Sequence, residues 1–266
     1  MTRPLILVTN DDGILHPGIA ALAEAVADVG DVIVCAPETE RSGSGHAITL
    51  HSHLRVDEVR PGWYRVNGTP VDCVYLASLH LCDRKPDLVV SGVNPGYNLG
   101  SDVFYSGTVG GAAEGYMRGA SGMAVSLHAR ESFRVAIPIA RTLARTLLSQ
   151  PLRSLINVNI PRFSPEDGPP GGDHPEALAE GQPFHVTRLG ARPYAEQVDR
   201  RQDPRGQAYY WIGGPPRDVG ENPGEDTWAV RNRHIAVTPL ILDLTAPDLR
   251  PWQAMFAGVT VTGARA

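Results

Sequence analysis

Short apolar runs and stretches of helical spacing alternate along the first 160 residues. Leu5 to Thr9 is an unbroken β-rich run, the pattern of a strand buried on both faces. Gly13 and Pro17-Gly18 break the chain, after which Ile19, Leu22, Ala23 and Val26 recur at helical spacing. Asp31 to Ala36 supplies a second buried strand and completes a βαβ unit. Residues 37–47 are polar and Gly/Ser-rich, so they form a long loop at the same carboxyl edge as the loop after the first strand.

The alternation at Ile48 to Leu50, Leu54 to Val59 and Tyr64 to Asn67 predicts short antiparallel strands around a Pro61-Gly62 turn. Thr69-Pro70 reads as an N-cap with proline in the first helical turn, opening a helix to about Leu81. Asp87 to Ser91 is a buried strand, and Gly92 to Gly107 is too rich in glycine and asparagine to be helix or sheet. Helices over Val109 to Arg118 and Phe133 to Leu148 alternate with strands over Met123 to Leu127 and Leu155 to Ile160. The expected fold class is α/β: a Rossmann-like, doubly wound, mostly parallel sheet over residues 1–160.

Beyond Pro161 the pattern changes. Residues from about 164 to 182 are rich in proline, glycine and acid and predict a mobile loop or linker. Phe184 to Leu189, Tyr209 to Ile212 and Ile235 to Leu240 read as strands with no helices between them. Strands so isolated are expected to form hairpins packed on the core or on a second subunit, so residues 161–266 are read as linker, β-hairpin arms and a C-terminal return to the core.

Composition narrows the function classes. The 266 residues are 42% hydrophobic and 20% charged, as in an ordinary globular protein. A formal charge of −5 disfavours a broad nucleic-acid surface and leaves small anions open. Cys35, Cys73 and Cys82 show no CxxC spacing, which fits a reducing, cytoplasmic setting with Cys35 as a core residue. No apolar run is long enough for a membrane span, and the first residues do not form a signal peptide.

The candidate chemistry lies on three loops that each follow a buried strand. Asp11 and Asp12 end the first, Ser42 lies on the second, Asn94 and Asn98 on the third. Two ionised carboxylates 4 Å apart repel by about 4 kcal/mol at an effective dielectric near 20. Turn and capping bonds offset this in one reading; a hard divalent cation, Mg²⁺ or Mn²⁺, offsets it in the other, with Asp11, Asp12, Ser42 and Asn94 as oxygen ligands. Taken singly, Ser42 and Asn94 suit turn chemistry equally well.

Ser106-Gly107-Thr108 precedes the helix at Val109, where free N–H groups favour an anion, and Gly43 and Gly45 would add further amides. An oxyanion beside two carboxylates requires a cation between them, which points to phosphate monoester hydrolysis. The single lysine, Lys85, falls at the amino end of its strand, away from these loops. An Asp-x-Asp phosphatase motif, a Walker A loop and a dinucleotide fingerprint are not found. His46 is the nearest histidine, more often a structural hydrogen-bonding group than a proton donor in such a loop. Tyr97, Phe104 and Tyr105 suit a base pocket or packing, and Arg41 either the ligand or solvent.

Asn10-Asp11-Asp12-Gly13, Ser42-Gly43, Gly68-Thr69-Pro70-Val71-Asp72-Cys73-Val74, Ser91-Gly92-Val93-Asn94, Asn98-Leu99-Gly100 and Ser106-Gly107-Thr108-Val109 together resemble the SurE family of survival-protein nucleotidases, with Val237-Thr238-Pro239-Leu240 similar to its C-terminal signature. The resemblance implies a metal-dependent phosphatase for nucleoside 5′- and 3′-monophosphates, and some members also cleave short polyphosphate ends. It implies one divalent ion per subunit on Asp11, Asp12, Ser42 and Asn94; if the chain hydrolyses a phosphate ester there, Asp11 and Asp12 are expected to be essential to turnover. Ser106, Gly107, Thr108 and Asn98 would meet the phosphate. A homodimer or homotetramer with exchanged hairpins is implied too, with no stable nucleic-acid complex and no membrane. The alternatives are a nucleotide sensor that uses the same loops without chemistry, and a structural protein whose acidic loop binds a stabilising ion.

Overall fold

The structure is a computed structural model that describes residues 3–163, 175–194, 197–214 and 222–259. β1 (Leu5–Thr9) is followed by α1 (Pro17–Val26) and β2 (Asp31–Pro37), as the apolar pattern predicts. β3 (Val56–Arg60) and β4 (Trp63–Val66) form an antiparallel pair, and β4 lies parallel to β2, so this hairpin widens the main sheet. Ile48 to Leu50, predicted as strand, is irregular. The reason is local: Thr49 donates its amide and its hydroxyl to the Asp72 carboxylate at 2.8 and 2.7 Å, so a side chain holds what a strand partner would.

Asp72 also completes a capping box with Thr69 at the start of α2 (Pro70–Leu76), and a wider turn over Ala77–Leu81 extends that helix to the predicted end. β5 (Leu88–Pro95) runs four residues past the predicted strand end at Ser91. Its glycine is no break, because Gly92 passes so close to β6 (Ser121–Leu127) that a Cβ would lie 2.2 Å from the Val125 carbonyl. The register shifts there and pairing resumes to Pro95. A 3₁₀ turn over Gly100–Phe104, within the predicted loop, leads into α3 (Gly107–Arg118). α4 (Ala136–Ser149) and β7 (Leu155–Ile160) close the predicted core.

β8 (Phe184–Val186), β9 (Gln197–Gln202) and β10 (Ala208–Gly213) follow. A helix, α5 (Asp226–Arg231), then precedes β11 (Ile235–Leu240), contrary to the helix-free reading of this region; α6 (Arg250–Phe256) comes last among the described residues. Six residues are too few for helical periodicity to show in a sequence. β11 pairs antiparallel with β7 and parallel with β8, so these two strands continue the core sheet instead of forming hairpins. β9 and β10 do form a hairpin, exposed along its whole length. Of the predicted 164–182 linker, residues up to 174 lie outside the described ones, and Pro175–Ala179 forms a 3₁₀ turn.

The nine-stranded order is β3-β4-β2-β1-β5-β6-β7-β11-β8, mixed in direction, with helices on both faces. Alternation along β1 shows the two layers. Ile6 and Val8 pack with α1 and α4, whereas Leu7 packs with α2. Each such fully buried side chain contributes roughly 1.5–3 kcal/mol of transfer free energy. Chain order reverses between β1 and β5, and a doubly wound sheet opens a crevice at the carboxyl ends of such a pair.

Candidate active site

The first loop leaves β1 at Asn10, which is fully buried. Its side chain donates to the Gly13 carbonyl at 2.9 Å and accepts from the Gly13 amide at 3.2 Å, closing a tight turn around the two acids. Gly13 has φ 102°, a left-handed value that suits glycine. The backbone ties this loop to the second one, with Ile14 N–H on Pro37 O at 2.8 Å and Arg41 N–H on Asp11 O at 2.7 Å.

A cleft of about 260 Å³ lies between the three loops, lined by Asp11, Ser42, Gly43, Asn94, Asn98 and Ser106 together with Tyr97, Asp102, Tyr105 and Tyr194. The predicted loops therefore converge. Asn94 spends its amide nitrogen on Gly96 O at 2.7 Å, so its carbonyl oxygen is the atom left for a ligand. Asn98 is wired into the sheet: it donates to Ser126 Oγ at 2.8 Å and its carbonyl accepts from Asn157 and Asn159. Ser106 caps α3, taking the Val109 amide at 3.1 Å.

Three predicted residues stand just behind the lining. Thr108 Oγ1 donates to Asp11 Oδ1, so Thr108 orients a carboxylate. Gly107 is pressed against Ser44 and Asp11, where a Cβ would meet Ser44 Oγ at 2.6 Å and Asp11 Cβ at 2.9 Å. Asp12 keeps its Oδ2 buried without a hydrogen-bond partner, 3.7 Å from His16 Nδ1. That nitrogen already accepts from Gly18 N at the start of α1.

The electrostatics favour protons or a cation. Burial raises the Asp11 pKa, opposed by hydrogen bonds from Thr108. Asp12 is pushed up to about 7, first by burial and then by the charges of Asp11 and Glu40. Glu40 escaped the sequence reading. It accepts from Ser42 Oγ at 2.7 Å and brings a third negative charge to the two aspartates. The donors here are hard oxygens from carboxylate, hydroxyl and amide, and Asp12 Oδ2 is orphaned. Among the described residues no cluster of three His, Cys, Asp or Glu is arranged to hold a metal. The set instead matches an ion that takes one or two carboxylates and keeps several waters, as Mg²⁺ does.

Other candidates are placed elsewhere. His46 Nε2 lies 2.9 Å from Glu114 on α3 and lines an apolar pocket with Phe104, not the cleft. Arg41 donates to Asn67 O. Lys85 lines a different pocket, beside Asp87 at the amino end of β5. Sequence reasoning also missed a wall built from beyond residue 160. Asp102 is ion-paired with Arg192 and accepts from Tyr194 Oη at 2.6 Å, and Arg192 donates to Tyr97 O at 3.1 Å. Asp226 at the start of α5 takes the amides of Gly100 and Gly190 at 2.9 and 2.8 Å, fixing both segments. The only sequence signal was an unassigned acid, Asp102, in the loop between the Asn98-Leu99-Gly100 and Ser106-Gly107-Thr108-Val109 motifs.

No helix among the described residues is long and apolar enough to cross a membrane. A family model described as survival protein SurE matches residues 6–196. A protein named 5′-nucleotidase SurE from Myxococcus xanthus is 46% identical over 258 residues, 93% of each chain. One of the same name from Moorella thermoacetica is 47% identical over 252 residues, 91% of each. Among solved structures, the SurE protein of Aquifex aeolicus superposes with a TM-score of 0.79 at 36% identity, over 95% of this chain and 99% of that one.

Proposed function

The chain belongs to the survival protein SurE family, and from that premise we propose that it is a metal-dependent phosphomonoesterase that hydrolyses nucleoside 5′- and 3′-monophosphates to nucleoside and phosphate. The observation that carries this reading is the Asp11 carboxylate, held by Thr108 at the start of α3 and facing a cleft at the sheet's switch point. Asp11, Asp12, Ser42 and Asn94 would hold one Mg²⁺ or Mn²⁺ per subunit. Such an ion, when bound, neutralises the acids and polarises phosphoryl oxygens.

The chain's own residues do the rest. Gly43, Asn98, Ser106, Gly107 and Thr108 line or back the place where the phosphate would sit, and the amides at the start of α3 would stabilise charge that builds on its oxygens. Tyr97, Tyr105 and Tyr194 supply aromatic surface for the nucleoside. In the reaction a water oxygen bonds to phosphorus, the ester P–O bond breaks, and the nucleoside oxygen leaves with a proton. The test is phosphate release from nucleoside monophosphates with Mn²⁺ or Mg²⁺. Asp11→Asn and Asp12→Asn are expected to lose activity while keeping the fold, and near-normal turnover in either overturns the reading.

The proposal extends to assembly. The β9–β10 hairpin exposes Val198, Tyr209, Tyr210, Trp211 and Ile212, and a two-stranded ribbon is marginal alone. We take residues 161–266 to carry arms, the β9–β10 hairpin among them, exchanged in a homodimer or homotetramer around the core sheet that β8 and β11 complete. Light scattering that gives only monomer at micromolar concentration overturns this.

A further inference from the structure

We infer that a basic pocket next to the cleft is a subsite for a second phosphoryl group on the substrate, so that nucleotides with two separate phosphates are preferred over monophosphates. The inference rests on the phosphomonoesterase reading above and deepens it. The pocket has a volume of about 680 Å³ and is walled by Tyr97, His128, Arg130, Arg162, Arg231 and Arg233. Tyr97 lines both this pocket and the cleft, so the two share a wall. Its ring meets that of His128, at 5.7 Å between centroids in an edge-to-face arrangement.

Four of the 24 basic residues converge here in a chain of formal charge −5. Arg130, Arg231 and Arg233 enter no ion pair among the described residues. The nearby acid, Glu131, is buried and accepts from the amides of Ser132 and Phe163, so it opposes only part of that charge. His128 feels these charges: its pKa is lowered first by burial and then by Arg162, with Glu131 pulling it up and Arg130 lowering it in turn.

The backbone adds an independent sign. Arg233 has φ 60°, in the left-handed region just past the end of α5, where glycine or asparagine is the usual residue. Keeping an arginine there sets its side chain into the pocket at a conformational cost that glycine would avoid. Guanidinium groups match phosphate oxygens in paired hydrogen bonds, which suits a further phosphoryl group on a substrate that already carries one. The formal charge of −5, without the basic excess of a nucleic-acid surface, favours one further phosphate on a small molecule over a nucleic-acid strand.

The test compares a nucleoside 5′-monophosphate with its 3′,5′-bisphosphate on the full chain with Mn²⁺. The expected KM is about tenfold lower for the bisphosphate, as one charged hydrogen-bonded group provides. Arg231→Glu and Arg233→Gly should each erase that advantage and leave the monophosphate constants within about twofold. Arg233→Gly suits the left-handed backbone, so its melting temperature should not fall. Equal KM values in the wild type, or variants that weaken both substrates alike, overturn the inference. If neither nucleotide is hydrolysed, the enzymatic reading fails instead, and calorimetry then decides on the subsite. Bisphosphate binding that is lost in Arg231→Glu supports it; binding unchanged in that variant, or seen only with single-stranded nucleic acid, refutes it.

Discussion

Thr108 Oγ1 donates a 2.5 Å hydrogen bond to Asp11 Oδ1 across 97 residues of sequence. The bond fixes which oxygen of Asp11 remains for a ligand. Thr108→Val keeps the shape of the α3 start and removes the donor. Activity is expected to fall about 10- to 100-fold, the usual loss when the partner of a ligating group is removed. Thr108→Ser should recover most of it in the same phosphate-release assay.

Asp12 sets a pH dependence of stability. In the unfolded chain its carboxyl loses a proton near 3.8, and in the folded protein near 7. Between those values the folded state binds more protons, so metal-free protein should lose stability as pH rises from about 4 to about 7. Thermal melts in chelator should show this decline, and Asp12→Asn should make it shallower, leaving the part due to Asp11. Below pH 7 the apparent Mn²⁺ affinity should rise about tenfold per pH unit, since binding displaces one proton.

Gly107 tests the packing behind the carboxylates. An alanine methyl there would lie 2.6 Å from Ser44 Oγ and 2.9 Å from Asp11 Cβ, so one of them must move. A displacement of about 1 Å at a reacting centre costs on the order of 100-fold, and Gly107→Ala should lose that much kcat/KM while circular dichroism stays native.

The wall from the C-terminal half can be probed through Asp102. Asp102→Ala strands the half-buried Arg192 guanidinium and should cost about 3 kcal/mol of unfolding free energy in urea titrations. Tyr194→Phe loses one hydrogen bond and should cost about 1 kcal/mol. Burial, then the bond to Asp102, pushes the Tyr194 pKa up to about 12, so its hydroxyl should ionise at higher pH than an ordinary tyrosine in an absorbance titration compared with Tyr194→Phe.

What the sequence revealed was what short-range patterns encode. Leu5 to Thr9 and Leu155 to Ile160 read as strands because buried parallel strands are apolar throughout, and Thr69-Pro70 read as a helix start because capping is local. The convergence of Asp11, Ser42 and Asn94 followed from the rule that such loops share one sheet edge. The misses depended on distant partners. Ile48 to Leu50 was lost to a bond with Asp72, the passage of β5 through Gly92 depended on the Val125 carbonyl, and α5 is held by contacts of Ala229 and Val230 with Leu99. Glu40 gave no pattern at all, since a single loop acid looks solvated until its neighbours are known.

The double grip of Asp226 makes the far end of the chain a keystone for the near end. A fragment stopping at residue 160 would retain all four proposed metal ligands yet release Gly100 and Tyr97 from their anchors, and with them the rim against which a nucleoside would rest. Selection on substrate fit can therefore act through residues more than a hundred positions from the acids proposed to hold the metal.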